Sequence, residues 1–511
     1  MGNNITTAVN NKILAKNTVF LYFRMFFALI VSLYTSRVIL NTLGVEDYGI
    51  YNVVAGFVSL FSFLNATLSA SIQRFYNYQG TKEGFDGFRS VYIIAFIIHA
   101  LLSFFVVAVL ETFGVWYINN VMILPENRLF AANVVFQTAI LSLVCVLLQA
   151  PYIGAIMAKQ HMNVYAYVSI FDVILKLLVV ILLPRIPYDS LMTFSALSLL
   201  VNLLNLSIYY CYSKRHFSEI SFVFKYDTRL LKQILSFTGW NVLGTFAFML
   251  KGQGVNLLLN SFFGPVVNAA RGIAYQVNSA ISGFSQNITI AFRPQIVNSY
   301  AEDHYNRVAS LFYTESKICF MLIAALITPI IIELDFILKI WLGDVIPSFT
   351  SIFTALVLFD SLICTLNTPC TQIIQSTGKL KSYQIASTIV NLLLLPLCWL
   401  FLKKGYESYV VFVLTIVISL INQIVCLIEV KKVFSIKFKN YFTEVVLSCV
   451  IFVIILPIIP FCFSQLYMSS FGRFILVSIS TILIAFPLAY FLGLTKDQRL
   501  SLKNYLMAKF N

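Results

Sequence analysis

Charge is what this chain has least of. Asp, Glu, Lys and Arg together make up 11% of its 511 residues, while 59% are hydrophobic and the mean hydropathy is +0.86. A soluble domain carries about a quarter of its residues as charge, so this composition excludes a soluble catalytic module and makes lipid the solvent. Histidine is nearly absent too: His99, His161, His216 and His304 stand apart from one another and from any cysteine cluster. No metal site or cofactor is expected from them. The nine cysteines contain no C-x-x-C and fall within or at the ends of apolar runs, where they read as inert filler. The N-terminus, MGNNITTAVNNK, lacks a charged start with a short apolar stretch and small-residue cleavage site, so no removable signal is expected.

What the chain has is apolar runs, each close to the ~20 residues needed to cross a ~30 Å hydrocarbon core. They predict an all-α integral membrane protein of about fourteen spans, at 17-40, 48-73, 89-111, 128-151, 163-183, 190-212, 233-260, 265-291, 310-333, 348-375, 382-402, 408-430, 441-463 and 471-493. Between these spans the cations divide by side. Of 35 Lys and Arg residues, 24 fall on the side holding both termini and 6 on the other (Arg128, Arg185, Lys339, Lys403, Lys404 and Arg473). Cytoplasmic loops are enriched in such residues, so both termini are expected in the cytoplasm. The same bias accounts for the net charge of +14 and leaves no reason to expect nucleic acid. The basic inner loops 213-232 and 292-309 suit contact with anionic membrane lipids. Outer loops are too short for a folded catalytic lid, and no enzyme activity is expected.

An internal repeat organises the chain. LNTLGVEDYGIYNVV begins at Leu40 and LNSFFGPVVNAARGIAYQV at Leu259, and the same offset of 219 relates Asn41 to Asn260 and Arg74 to Arg293. The second copy starts six spans after the first, so both have the same orientation, as in transporters built from two parallel halves. The expected organisation is an N-terminal lobe over 1-212, a basic linker over 213-232, a C-terminal lobe over 233-430, and two additional spans with a tail over 431-511.

Charges at bilayer depth cost about 2.5 to 3.5 kcal/mol and are functional candidates by default. Arg24, Arg37, Lys176, Lys251 and Arg271 fall within spans, against the carboxylates Asp172 and Asp360. Arg37, near a span end, either snorkels or is a functional candidate like the others. Arg271, Tyr275, Asn278, Ser282, Ser285 and Thr289 follow steps of three and four, one polar stripe along a helix. Asn52, Ser59, Ala66, Ser69 and Gln73 form the repeat-related stripe in the second span. Two such stripes suit either a central cavity or an interface glued by hydrogen bonds. Lys251 sits beside Gly252 and Gly254, which are expected to loosen their helix. Asp172 and Lys176, four residues apart, suit a local ion pair. Asp360 has no cation nearby on its own helix, so it is either a counter-ion or a protonatable coupling group.

TSRVILNTLGVEDYGIYNVVAG, beginning at Thr35, and NAARGIAYQVNSAISGFSQNITIAFRPQIVNSYA, beginning at Asn268, resemble Wzx-type polysaccharide flippases of the multidrug/oligosaccharidyl-lipid/polysaccharide exporter superfamily. The resemblance implies a MATE-like fold of two six-helix lobes alternating between inward- and outward-open states. It implies a bacterial cytoplasmic-membrane protein that moves an undecaprenyl-pyrophosphate-linked oligosaccharide to the outer leaflet for O-antigen or capsule, beside other polysaccharide-assembly proteins. On that implication, Arg24, Lys251 and Arg271 would hold the pyrophosphate or acidic sugars, since Arg offers bidentate donors and Lys a point charge. Asn52, Gln73, Tyr275 and Asn278 would bond sugar hydroxyls. A coupling ion, H+ or Na+, is left open, with Asp360, Asp172 and Lys176 as candidate coupling or counter-charges. The rival readings are an ion-coupled drug exporter of the same superfamily, a lipid II flippase and a membrane enzyme of polysaccharide assembly.

Overall fold

A computed structural model describes residues 2–159, 161–220, 228–301, 303–377, 380–434, 438–466, 469–494 and 498–499. The side chains of 2–29, of scattered positions within 63–83, 162–166, 233–248 and 287–301, and of residue 380 lie outside the described set. The described residues are helical almost throughout and contain no strand. The helices are α1 (Gly2–Ser59), α2 (Ser62–Val109), α3 (Val115–Asn120), α4 (Leu129–Ala158), α5 (Met162–Leu182), α6 (Ser190–His216), α7 (Thr228–Phe263), α8 (Pro265–Ala301) and α9 (Tyr305–Ile332). They continue as α10 (Leu334–Leu342), α11 (Thr350–Thr377), α12 (Leu380–Leu392), α13 (Leu394–Lys403), α14 (Val410–Val433), α15 (Phe438–Tyr441), α16 (Leu447–Ile455), α17 (Ile458–Ser464) and α18 (Ser470–Leu488). Ten stretches among the described residues are long and apolar enough to cross a membrane, from Gly84–Asn120 to Ser470–Gly493, and each overlaps an expected span. The chain is a multi-pass membrane protein. The other four expected spans, 17-40, 48-73, 233-260 and 265-291, fall in α1, α2, α7 and α8, where many side chains lie outside the described residues.

Each copy of the repeat turns at a glycine, the two lying one residue out of register at the offset of 219. Gly44 (φ 78°, ψ 171°) breaks α1 into two helices, and Gly264 (φ 78°) separates α7 from α8. Both take a left-handed φ that glycine reaches without penalty. Pro265 then opens α8, where a missing N–H costs nothing. Asn260 is fully buried at this turn, and its Oδ1 accepts from the Ile123 N–H at 3.2 Å.

The chain divides into two compact units, one of residues 1–249 and 259–269, the other of 250–258 and 270–511. In the first unit α4 packs between α2 and α6, around buried Ile72, Tyr76, Tyr92, Tyr152 and Ile156. In the second, α11 packs between α9 and α14, around Phe312, Ile323, Leu358, Ile373 and Phe452. Each unit thus centres on one helix held between two others. Both middle helices carry a proline near their C-terminal end, Pro151 and Pro369. The last two spans join the second unit, where α16 and α18 pack on α9.

Ion pairs fasten the helix ends. Arg128, preceding α4, bonds the Asp47 carboxylate and donates at 2.6 Å to Asp189, whose other oxygen caps α6 by accepting from the Met192 N–H at 3.0 Å. In the second unit Arg473 clasps the buried Glu333 with two bonds, of 2.6 and 2.9 Å. Just past the C-terminal ends of α4 and α6, Lys159 meets Glu219 at 2.6 Å.

Candidate functional site

The residues with unsatisfied charge gather in the second unit, around α7, α8 and α11. Arg271, near the start of α8, is only 8% exposed, although a guanidinium has no neutral form within reach. Its Nη2 donates to the Gly252 carbonyl oxygen at 2.7 Å, and its plane lies 4.3 Å from the Tyr275 ring centroid, one turn on. Neither partner is an anion, and Arg271 Nε is buried with no hydrogen-bond partner. Lys251, half-buried, stands next to Gly252 on α7. Among the described residues no carboxylate lies within ion-pair distance of Arg271 or Lys251.

Asp360 on α11 completes the group. Its carboxyl lies in electrostatic reach of Lys251, and the Tyr275 hydroxyl lies in reach of both Asp360 and Arg271. The Cys364 thiol donates to Asp360 Oδ2 at 3.9 Å, while Oδ1 is buried without a partner. With all three ionised, two cations face one carboxylate. The cluster therefore holds a surplus positive charge, an unused N–H donor and an unused acceptor. That combination suits an anion that brings its own hydroxyls.

The rest of the α8 stripe does different work. Ser282 donates to Asn278 Oδ1 at 3.2 Å and lies 3.2 Å from the Ser361 hydroxyl of α11. The Cys319 thiol of α9 points at the Ser285 carbonyl, and Gln372 of α11 donates to the Thr289 carbonyl at 3.1 Å. These positions hold three helices together by hydrogen bonds, so only the outer end of the stripe, at Arg271 and Tyr275, carries unsatisfied polarity.

The remaining candidates do not join this group. Asn52 belongs to the first unit, where its Nδ2 donates to the Tyr48 carbonyl at 2.8 Å. The side chains of Arg24 and Gln73 lie outside the described residues. Asp172 and Lys176 form their i,i+4 pair at 2.7 Å, with Asn205 donating to the second carboxylate oxygen at 2.7 Å; these charges are spent on each other. The expected loosening at the glycines is not seen, because α7 is helical through Gly252 and Gly254. Gly254 instead makes room for Leu395, whose methyl would lie 2.8 Å from an added Cβ. The sequence-based charge balance also leaves out Glu315, a carboxylate inside the ninth span that is fully buried. Its signal was a Glu within a mostly apolar span, in Thr314-Glu315-Ser316-Lys317.

No family model matches the sequence, and no curated protein matches it. Solved structures do. The lipid II flippase MurJ, in an inward closed conformation, superposes with a TM-score of 0.70 at 14% identity, over 93% of this chain and 98% of that one. An inward-facing multidrug resistance MATE family transporter of the MOP superfamily gives 0.64 at 14% identity, over 78% of this chain and 92% of its own. At such identity the likeness is one of fold, and the fold is that of MurJ and the MATE transporters.

Proposed function

We propose that this chain is a flippase that moves an undecaprenyl-pyrophosphate-linked oligosaccharide from the inner to the outer leaflet of the bacterial cytoplasmic membrane. Its two units would act as alternating lobes, in the service of O-antigen, capsule or a related surface glycan and alongside other assembly proteins. The observation that carries this reading is the buried Arg271 guanidinium, anchored by a carbonyl and a ring rather than a carboxylate, with its Nε unused and Lys251 on the neighbouring helix. A pyrophosphate supplies the missing acceptors, and charge-assisted bonds to it strengthen as water is excluded. Tyr275 would then bond a sugar hydroxyl, while Asn278 is engaged with Ser282. Asp360 limits the net charge of the empty site and repels an anion that binds without displacing it from Lys251. One acid against two cations disfavours export of a cationic drug.

Each charge-assisted bond contributes about 1.5 to 3 kcal/mol, so Arg271→Gln or Lys251→Gln should weaken substrate binding about ten- to a hundredfold. Arg271 has no carboxylate within bonding distance that the change would strand, whereas Lys251→Gln removes the cation facing Asp360 and is therefore made together with Asp360→Asn. Membrane abundance and melting temperature should therefore stay near wild type while surface glycan falls. Normal surface glycan in both variants, or a loss matched by lost protein, would overturn the assignment. Rescue of cells depleted of their own lipid II flippase would identify lipid II as the cargo instead.

A further inference from the structure

Glu315 lies outside the cluster described above and presents the opposite problem, a buried anion without a cation. It sits on α9 with no exposed surface. Its Oε1 accepts from Gln372 Nε2 of α11 at 3.1 Å, the same amide donates at 3.1 Å to the Thr289 carbonyl of α8, and the Thr289 hydroxyl is the other donor in reach of the carboxyl. Two neighbouring oxygens are left over. Glu315 Oε2 and Gln372 Oε1 are both buried, both acceptors, and both without a partner.

The groups facing this point from each packed element are few. α8 offers Thr289 and the Ser285 carbonyl, α11 offers Gln372 and the Cys370 thiol, and α9 itself offers the Cys319 thiol. None of them carries a positive charge. Lys317 follows two residues later, about 200° around the helix, and its charged neighbours are Glu444 and Arg499. A carboxylate taken out of water without a cation or a full set of donors is heavily penalised. Each member of this bonded pair keeps one orphan acceptor, and a hydrogen on the carboxyl would serve both.

We propose that Glu315 and Gln372 form a proton-binding site in the second unit, whose occupancy sets the seam between α8, α9 and α11. A proton taken from water onto Oε2 gives this carboxyl a donor as well as an acceptor. It can then pair reciprocally with the Gln372 amide, acid O–H to amide oxygen and amide N–H to acid carbonyl. Loss of the proton to water leaves a bare charge where three helices meet, so the seam must open to hydration or shift. A sodium ion fits less well, because it needs several oxygens in place of its water, and the Thr289 carbonyl is already engaged.

The test uses the full chain, purified in nanodiscs, and does not depend on the cargo. On alkaline titration, infrared difference spectra of the wild type should lose a protonated-carboxyl C=O band that Glu315→Gln never shows. In parallel, the wild-type melting temperature should fall as pH rises, while that of Glu315→Gln, a neutral isostere that keeps the seam, should fall less. Identical difference spectra in the two proteins would overturn the proposal. A melting temperature that sodium chloride restores at alkaline pH in the wild type, and choline chloride does not, would overturn it in favour of sodium. Because neither readout involves transport, its failure is distinct from failure of the flippase reading.

Discussion

Gly49 accepts no side chain, for a reason that differs from the one at Gly44. A Cβ at Gly49 would overlap the Pro265 carbonyl, a backbone group of the second repeat's outer turn that cannot rotate away. Gly44 has nothing within 4 Å of its added Cβ, but its φ of 78° with ψ of 171° is open to glycine alone. Gly49→Ala therefore forces two helices apart, at about 1 to 3 kcal/mol or more, and Gly44→Ala pays only in backbone strain of about 1 to 3 kcal/mol. The two are separable by measurement. Both should melt below wild type in detergent, and Pro265→Gly, which leaves the carbonyl in place, should not relieve either. A Gly49→Ala variant as stable as wild type would mean the helices do not approach this closely. At Arg271 the same scale of argument runs through charge: its nearest partners are a carbonyl oxygen and a phenol ring, so its neutralisation is left to whatever binds there.

At the scale of elements, the loop ends are where acid should act. Burial by itself would raise the Glu219 carboxyl, but the Lys159 hydrogen bond and charge outweigh it and hold it below its ordinary value of 4.5. Stability from a depressed carboxylate is complete above that ordinary value and is lost as pH falls through the lowered one. For this part-exposed pair it amounts to about 0.5 to 1 kcal/mol. Glu219→Gln should therefore melt slightly below wild type at neutral pH, and the gap should close under acid; a gap that persists there would assign the loss to packing. The outer cluster is less acid-sensitive on balance. Arg128 outweighs burial at Asp189 and lowers it, whereas at Asp47 burial outweighs Arg128 and raises it. How much of this could be read beforehand depends on distance along the chain. Ten of the expected spans, the repeat's turns and the Asp172–Lys176 pair were legible, because apolar length, glycine at a turn and i,i+4 spacing are local signals. Lys251 with Asp360, Arg271 with Gly252 and Arg473 with Glu333 were not, since each pairing joins positions 19 to 140 residues apart. Periodicity aligns residues on one helix and is silent about the helix opposite. The polar stripe of α8 was visible for the same reason, but its division into an interhelical seam and an unsatisfied end was not.

For the whole molecule, the open question with a decisive answer is which way it faces. The division of loop cations, 24 against 6, favours cytoplasmic termini, and two of the six outer cations have structural duties that explain why they are kept. Arg128 ties the first repeat's turn to the start of α6 through Asp47 and Asp189, and Arg473 ties α18 to the end of α9 through Glu333. A third, Lys403, rests 4.7 Å from the Trp399 ring centroid. Few unassigned cations remain on that face to oppose the inner loops. The orientation also bears on the proposed function, because it sets the direction of transport. A reporter enzyme active only outside should give signal when fused after Asn120, Pro187 or Val345 and stay silent after Gly84, Phe222 or Tyr300. Arg128→Gln fused at the same points separates the two roles of that residue. If Arg128 serves only as a fastener, the pattern should persist at reduced protein level. The reverse pattern in the wild type would invert the molecule and, with it, the direction of transport proposed above.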